Sequence, residues 1–497
     1  PQLHFTGIGG TGMAAVAGLF SSAGFSISGS DNPIYPPMDE VIKHIGLEPI
    51  VGYHKETLES LHPDGVVLAN VISRKNAELK PNAEMHSLLE LNIPTMSFPS
   101  SLRRFFLHKT KNIIVSGTHG KTSTTSLIAQ MLNHLGRDPS LFVGGSPANF
   151  QHGFRLGLGG IFVLEGDEYD SALFDKGPKF LHYEPSISLI NNIEFDHADI
   201  YPNIEAIEEE FYRLACLTRD RGGIVVANMD DPRVVNVVER AQAPVIWFGK
   251  NNSNVKGPVW HLASTLTETE GLSADCIAPD NTRINVKTRL FGLHNAMNTT
   301  AALAVLHALK VIETTEKATH QNLSSVTLSQ QEIQNWSSAA KTFLGVKRRF
   351  ELISTKNDIV IFDDFAHHPT AITTTLDAFR SYVNSAKRTG RLIVCFDPRN
   401  ATMRRSVLQA QLAQSFKDAD IVLLGKVPLD MRLHATEVLD GQKVAELIGS
   451  KARYFTENEM LLEHLKQMAQ AGDTIVFMSS GSFDGLPRKL QNTLMDA

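Results

Sequence analysis

The sequence predicts an α/β protein of three domains, each built on an open, mostly parallel sheet. Three observations carry that expectation. The chain has 497 residues, and at ~150 residues per domain this length corresponds to about three units. Short apolar runs alternate with helical stretches, the rhythm of parallel strands with helices on both sheet faces. Glycine-rich turns stand at two strand-to-helix junctions, at residues 7–12 and 117–120.

The elements follow in order. Residues 3–6 read as a strand entering the first glycine turn, 13–23 as a helix, 26–29 as a segment leading to a second turn, and 65–70 as a buried strand. The stretch Phe98-Pro99-Ser100 with Arg103-Arg104 reads as a join. A second unit restarts at Asn112, with a strand at 113–115, a glycine loop and a helix over about 122–135. Further strands are expected at 161–164, 187–190 and 224–227. Alternation over about 255–290 suggests appended antiparallel strands, and 298–311 is an alanine-rich helix. A third unit begins near Gly345, with strands at 359–362, 392–396, 421–424 and 474–478.

Composition narrows the function. With 42% hydrophobic and 20% charged residues, the chain is an ordinary globular protein and not a disordered one. Its 47 basic and 53 acidic residues leave a net charge of −6. That argues against a nucleic-acid coat, which needs a basic excess. Cys216, Cys276 and Cys395 are far apart and form no CxxC pair, so neither a disulfide framework nor a thiolate zinc site is indicated. No apolar run reaches ~18 residues, and no basic-then-apolar leader opens the sequence. The expectation is a cytoplasmic protein with no membrane or nucleic-acid partner. Its oligomeric state is left open.

Four motifs carry chemistry. Gly7-Ile8-Gly9-Gly10-Thr11-Gly12 lets backbone approach a pyrophosphate at a helix N-terminus. Asp31, after Ser30, stands where an acidic residue bonds a ribose hydroxyl. NAD and a UDP-sugar fit this loop equally, and a plain tight turn would use the same glycines. Gly117-Thr118-His119-Gly120-Lys121-Thr122-Ser123 is the second motif. Its amides and Lys121 suit phosphates, and Thr122 suits Mg²⁺. Val115 stands where the common phosphate loop has its first glycine, so the loop is a shortened GxxGKT. The third motif, Glu165-Gly166-Asp167-Glu168-Tyr169-Asp170, ends a strand, where Glu165 can reach a metal on Thr122. The fourth, residues 191–199, places His197 among carboxylates as a possible ligand, although a lone histidine is more often structural. Downstream lie residues 292–298, Arg348-Arg349 and the run 363–369. Arginines there can neutralise phosphate, and an Asp can bind ribose. His367 and His368 are adjacent and do not share a helix face, which discounts them as a metal pair.

Taken together and in order, these motifs resemble the Mur ligase family of ATP-dependent amide-bond-forming enzymes, over essentially the whole chain. Residues 144–150 and 167–183 resemble the branch that joins UDP-N-acetylmuramate to the tripeptide L-alanyl-γ-D-glutamyl-meso-diaminopimelate in murein recycling. The branch adding L-alanine in de novo peptidoglycan synthesis resembles the rest nearly as well. The resemblance implies an N-terminal Rossmann-like UDP-binding domain (1–108) and a central P-loop-type ATPase domain (109–344) with a parallel sheet plus a small antiparallel sheet. A C-terminal Rossmann-like α/β domain (345–497) would bind the peptide.

The resemblance also implies roles. Lys121, Glu165 and His197 are catalytic, with Mg²⁺, two ions during catalysis, on Thr122, Glu165 and His197. ATP is held by Gly117, Thr118, His119, Gly120, Lys121, Thr122, Ser123, Asn295, Arg349 and Asp364. The UDP moiety is held by Gly7, Gly9, Gly10, Thr11, Gly12, Ser30 and Asp31, and Arg399 is a candidate for the peptide's carboxylates. One departure stands out. Several family members carry a carbamylated lysine about fifteen residues after the histidine matching His197, yet this chain has no lysine from Ala198 through Gly249. Glu208, Glu209 and Glu210 fall near that spacing. The alternatives from other classes are a dehydrogenase, against which the second loop argues, and a non-catalytic nucleotide-binding regulator.

Overall fold

The computed structural model describes residues 1–34, 38–69, 83–170, 177–195, 200–251, 254–315, 319, 322–399, 403–428 and 438–496. His197 lies outside them, as do Ala198, Asp199 and residues 171–176.

Three sheets organise the described residues. The N-terminal one has five parallel strands in the spatial order Ile50–Val51, Ser26–Asp31, Gln2–Thr6, Gly65–Leu68, Thr95–Ser97. The first strand therefore lies at the centre, and the chain switches sides beside it, the arrangement that opens a ligand crevice beyond its C-terminal end. Helix Thr11–Ser22 leaves from that end. Its apolar residues face inward, and Phe20 packs edge-on against Phe5, Phe25, Phe105 and Phe106.

The expected join at 98–104 is a helix, Phe98–Phe105. Ser97 caps it, and Pro99 occupies its first turn, where a missing N–H costs nothing. Phe98 and Leu102 are buried, and Arg103 and Arg104 face outward. The pair read as a boundary is the solvent face of an amphipathic helix.

The central sheet has ten strands. Lys111–Ser116 lies between Ile187–Ile190 and Ile161–Glu165, and parallel pairing continues outward through Ile224–Asn228 and Val245–Gly249. The antiparallel strands Val259–Glu268, Gly271–Ile277 and Arg283–Thr288 form as predicted. They continue the same sheet, because Val259–Glu268 pairs parallel with Val245–Gly249. Helices Lys121–His134 and Leu293–Thr314 cover one face with aliphatic side chains. The other face shares one apolar core with the N-terminal unit. There the approach is close. A Cβ on Gly18 would lie 2.2 Å from the ring of Phe154, so any side chain at that crossing would displace the ring.

The C-terminal sheet has six strands, all parallel except the edge strand Glu351–Lys356. Its two faces carry separate apolar cores. Residues 345–350 lead into it, and Phe350 stacks on Phe379 and Phe291, bridging to the central unit. Among the described residues, no helix is long and apolar enough to cross a membrane.

Candidate active site

The second glycine loop emerges from Lys111–Ser116, whose neighbours on either side bring the other motifs to the same sheet edge. Gly117 (φ 129) and Gly120 (φ 82) adopt backbone that side chains disfavour. Space is also short. A Cβ on Gly117 would lie 3.0 Å from Asn192 N, and one on Gly120 would lie 3.0 Å from Asn191 Nδ2. Asn192 fixes the loop's shape. Its carbonyl accepts from Thr118 N (3.0 Å) and its side-chain oxygen from His119 N (2.7 Å). Gly120 caps the helix that begins with Lys121, Thr122 and Ser123. The positive end of that helix therefore points into the loop.

Charges converge here. Lys121 Nζ donates to the carbonyl of Gly117 (2.7 Å) and pairs with Glu168 at 2.9 Å. Burial opposes its charge, but Glu168, Asp167 and Glu165 outweigh burial and hold its pKa above the ordinary lysine value. Thr122 Oγ1 donates to Glu165 Oε1 (2.8 Å), and Gly144 N donates to Glu165 Oε2 (2.7 Å). Burial and the neighbouring Asp167 push the Glu165 carboxyl up, against the pull of Lys121. Lys179 pairs with Asp167 (3.0 Å) and lies 3.7 Å from the centre of the Tyr169 ring. Three buried or half-buried carboxylates thus face two ammonium groups, which leaves Glu165 without an ammonium partner of its own and available to a cation. The oxygen donors of Thr122 and Glu165 suit Mg²⁺.

The wall opposite comes from two further elements. Asn295 is buried at the start of helix Leu293–Thr314. Its Nδ2 donates to Phe291 O (2.8 Å), and its Oδ1 accepts from Asn298 (3.2 Å). Arg348 (φ 59) and Phe350 (φ 53) are both left-handed, an arrangement that turns Arg349 between them. The Arg349 guanidinium lies 4.5 Å from the centre of the Phe365 ring. Asp364 is buried, and its two oxygens accept from Phe350 N and Ala366 N, each at 2.7 Å. Burial pushes its pKa up, and Arg349 opposes the rise.

The first glycine loop is assembled differently. The Ser30 carbonyl accepts from Gly7 N and Ile8 N (2.8 and 3.2 Å), and Gly10 caps the helix that opens with Thr11 and Gly12. Asp31 accepts from Gly9 N (2.7 Å) and from Tyr53 Oη (2.9 Å). A Cβ on Gly9 would lie 2.9 Å from that carboxylate. The Ser30 hydroxyl is fully buried and donates to Glu84, which also bonds His4 and Thr6. Ser30 therefore supports the loop from beneath. Arg399 in the C-terminal unit pairs with Asp397 (2.8 Å) and Asp484.

Profiles of known families match nearly end to end. The Mur ligase family catalytic domain matches residues 2–110, the Mur ligase middle domain 115–306, and the Mur ligase glutamate ligase domain 348–481. The chain is also 34% identical over 493 residues to the UDP-N-acetylmuramate–L-alanyl-γ-D-glutamyl-meso-2,6-diaminoheptandioate ligase of Escherichia coli (strain K12), covering 99% of this chain and 98% of that one. The chain belongs to the Mur ligase family. It is an ATP-dependent amide-forming ligase. A further relative, the UDP-N-acetylmuramate–L-alanine ligase of Acetivibrio thermocellus, is 29% identical, covering 97% of this chain and 93% of that one. Among solved structures, a murein peptide ligase from Psychrobacter arcticus superposes with a TM-score of 0.67 at 29% identity, covering 100% of this chain and 99% of that one.

For this Mur ligase, sequence reasoning singled out the loop and its carboxylates but missed several partners. Asn192 and Lys179 shape the site through contacts between separate motifs. Glu194 accepts from Thr370 Oγ1 (2.7 Å), a residue of the C-terminal unit. Burial alone would raise its pKa, but His119, Thr370 and His368 outweigh burial and hold it at about 2. Of the glutamates near the spacing of the family's lysine, Glu208 and Glu209 pair with Arg233 and Arg240 on the neighbouring helix. Glu210 pairs with Arg213 and lies beside Tyr201, whose hydroxyl donates to the Glu168 carbonyl.

Proposed function

We propose that this Mur ligase joins UDP-N-acetylmuramate to L-alanyl-γ-D-glutamyl-meso-diaminopimelate at the expense of ATP, in peptidoglycan recycling in the cytoplasm. The observation that carries this reading is the 34% identity, across 99% of the chain, to a ligase named for that tripeptide, against 29% for the L-alanine ligase. The domain cuts proposed are after residues 108 and 344, giving units for UDP-sugar, ATP and peptide.

A lactyl carboxylate oxygen of UDP-N-acetylmuramate attacks the γ-phosphorus of ATP, and the bond to the β-phosphate oxygen breaks to release ADP. The peptide amine then attacks the acyl carbon, loses a proton, and the C–O bond to phosphate breaks to leave the amide. Phosphoryl transfer asks for positioning and charge neutralisation more than for covalent chemistry from the protein. Lys121 leaves Glu168 to stabilise the transferring phosphoryl group. Thr122, Glu165 and, by resemblance, His197 are the proposed ligands of Mg²⁺, which screens phosphate oxygens when bound. Asn295, Arg349 and Asp364 are proposed to hold the nucleotide from the hinge side, with Asp364 at the ribose. Gly7, Gly9, Gly10, Thr11 and Gly12 are proposed to face the UDP diphosphate, with Asp31 and Ser30 shaping that loop. Glu210 is the proposed substitute for the family's carbamylated lysine, because of the three glutamates it is the one whose charge acts on Tyr201, the partner of the Glu168 carbonyl. Arg399 remains the proposed peptide-carboxylate residue, provided it exchanges its bonds to Asp397 and Asp484.

The test supplies UDP-N-acetylmuramate and ATP with either tripeptide or L-alanine and follows phosphate release together with the UDP-linked product. Turnover with tripeptide is expected. Turnover with L-alanine and none with tripeptide overturns the reading.

A further inference from the structure

One cluster shares no residue with the Thr122 and Glu165 oxygens and has a different chemistry. His119 projects from the second glycine loop. Glu194 follows strand Ile187–Ile190, and His368 caps helix Pro369–Ser385 of the C-terminal unit. His119 Nε2 lies 3.4 Å from Glu194 Oε2, and His368 Nδ1 lies 3.6 Å from the same oxygen. The three ligand atoms all fall within 4.8 Å of one another. The two imidazole rings are 4.9 Å apart between centres, and both are half-buried or buried.

We propose that His119, Glu194 and His368 form a zinc-class metal site that ties the central and C-terminal units together. The spacing fits. Tetrahedral zinc with bonds of about 2.0–2.1 Å separates its ligand atoms by about 3.3–3.4 Å, close to the two histidine–carboxylate distances. The donors fit as well. Two imidazoles and one carboxylate favour zinc and its transition-metal neighbours, whereas Mg²⁺ prefers an all-oxygen shell. Thr370 Oγ1 donates to Glu194 Oε2 at 2.7 Å, the kind of outer hydrogen bond that orients a ligating carboxylate. Three protein ligands leave a fourth position open.

The consequence follows from where the ligands sit. Two belong to the central unit and one to the C-terminal unit, so metal binding favours the arrangement in which the two units meet here and resists their separation. Where opening releases product, an ion here slows turnover. The site is thus a point of inhibition by transition metals, separate from the Mg²⁺ that the reaction uses.

The full-length chain, free of nucleotide, is dialysed against Zn²⁺ as the sole transition metal, with Mg²⁺ in excess, and bound zinc is counted. Wild type is expected to hold one zinc more per chain than His368→Gln or Glu194→Gln, with at least tenfold weaker binding in each variant. His368→Cys, which supplies a thiolate ligand, is expected to keep the ion. Zinc should raise the melting temperature of wild type and His368→Cys but not of His368→Gln, and circular dichroism without zinc establishes that each variant folds. Equal zinc content and equal affinity in wild type and His368→Gln would overturn the proposal, as would the absence of bound zinc in wild type.

Discussion

The two glycine loops are made from the same residue type at the same kind of junction, yet their surroundings differ. Around residues 7–12, the charged partner is turned to the loop itself. Asp31 accepts from Gly9 and Tyr53, while Ser30 and His4 are spent on the buried Glu84. Around residues 117–123, buried charges face one another. Lys121 is held by Glu168, and Glu165 carries a charge that burial disfavours. A loop whose polar groups satisfy one another is a shaped seat for a ligand. A loop that gathers buried charges of both signs is the one suited to phosphate and a cation, and it is where we propose the chemistry.

That contrast is broken most severely at Lys121. Lys121→Ala is expected to lower phosphate release about 10³-fold while the circular dichroism spectrum stays native. Activity within tenfold of wild type would place the chemistry elsewhere. At the first loop the effect is smaller and falls on a different quantity. Asp31→Asn weakens the hold on Gly9, and replacing a charge-assisted hydrogen bond by a neutral one, a loss of about 1–1.5 kcal/mol, raises KM for UDP-N-acetylmuramate about tenfold. KM for ATP should stay near wild type. An equal rise in both would erase the distinction between the loops.

The sequence makes the sheets legible wherever strands are continuous apolar runs. Ile187–Ile190 and Ile421–Leu424 fall where they were expected. It is less telling where a local cue has two meanings. Pro99 with an arginine pair reads as a break, but Ser97 and the burial of Phe98 and Leu102 make the same residues a helix start. In the candidate site, the meeting of Lys121, Thr122 and Glu165 was legible because strand ends bring separate motifs to one edge. The His119–Glu194–His368 cluster was not, because it depends on two units meeting. His367 and His368 part company there. The first bonds the Phe365 carbonyl, and the second turns toward the loop. Arg399 illustrates the opposite case, a sound match in residue type whose guanidinium is engaged by Asp397 and Asp484.

The smallest expected effect concerns stability. Beneath the first loop, the buried His4 has Glu84 as its partner at 2.6 Å. Beside the second, burial and the nearby Arg349 push His294 down to about 4. An unfolded histidine binds its proton near pH 6.5, so the unfolded chain takes up more protons between pH 6.5 and 4. Stability attributable to neutral His294 is therefore present above pH 6.5 and lost as the pH falls toward 4. Thermal melts across that window should show a steeper decline for wild type than for His294→Gln. Parallel declines would remove His294 from the account.

The most direct test of the central claim follows an oxygen atom. UDP-N-acetylmuramate labelled with ¹⁸O in its lactyl carboxylate is turned over with ATP and the tripeptide, and the released phosphate is analysed by mass. Attack of that carboxylate on the γ-phosphorus, followed by C–O cleavage, predicts one labelled oxygen in each phosphate. Unlabelled phosphate, with the amide still formed, would contradict activation by phosphoryl transfer at the Lys121 loop.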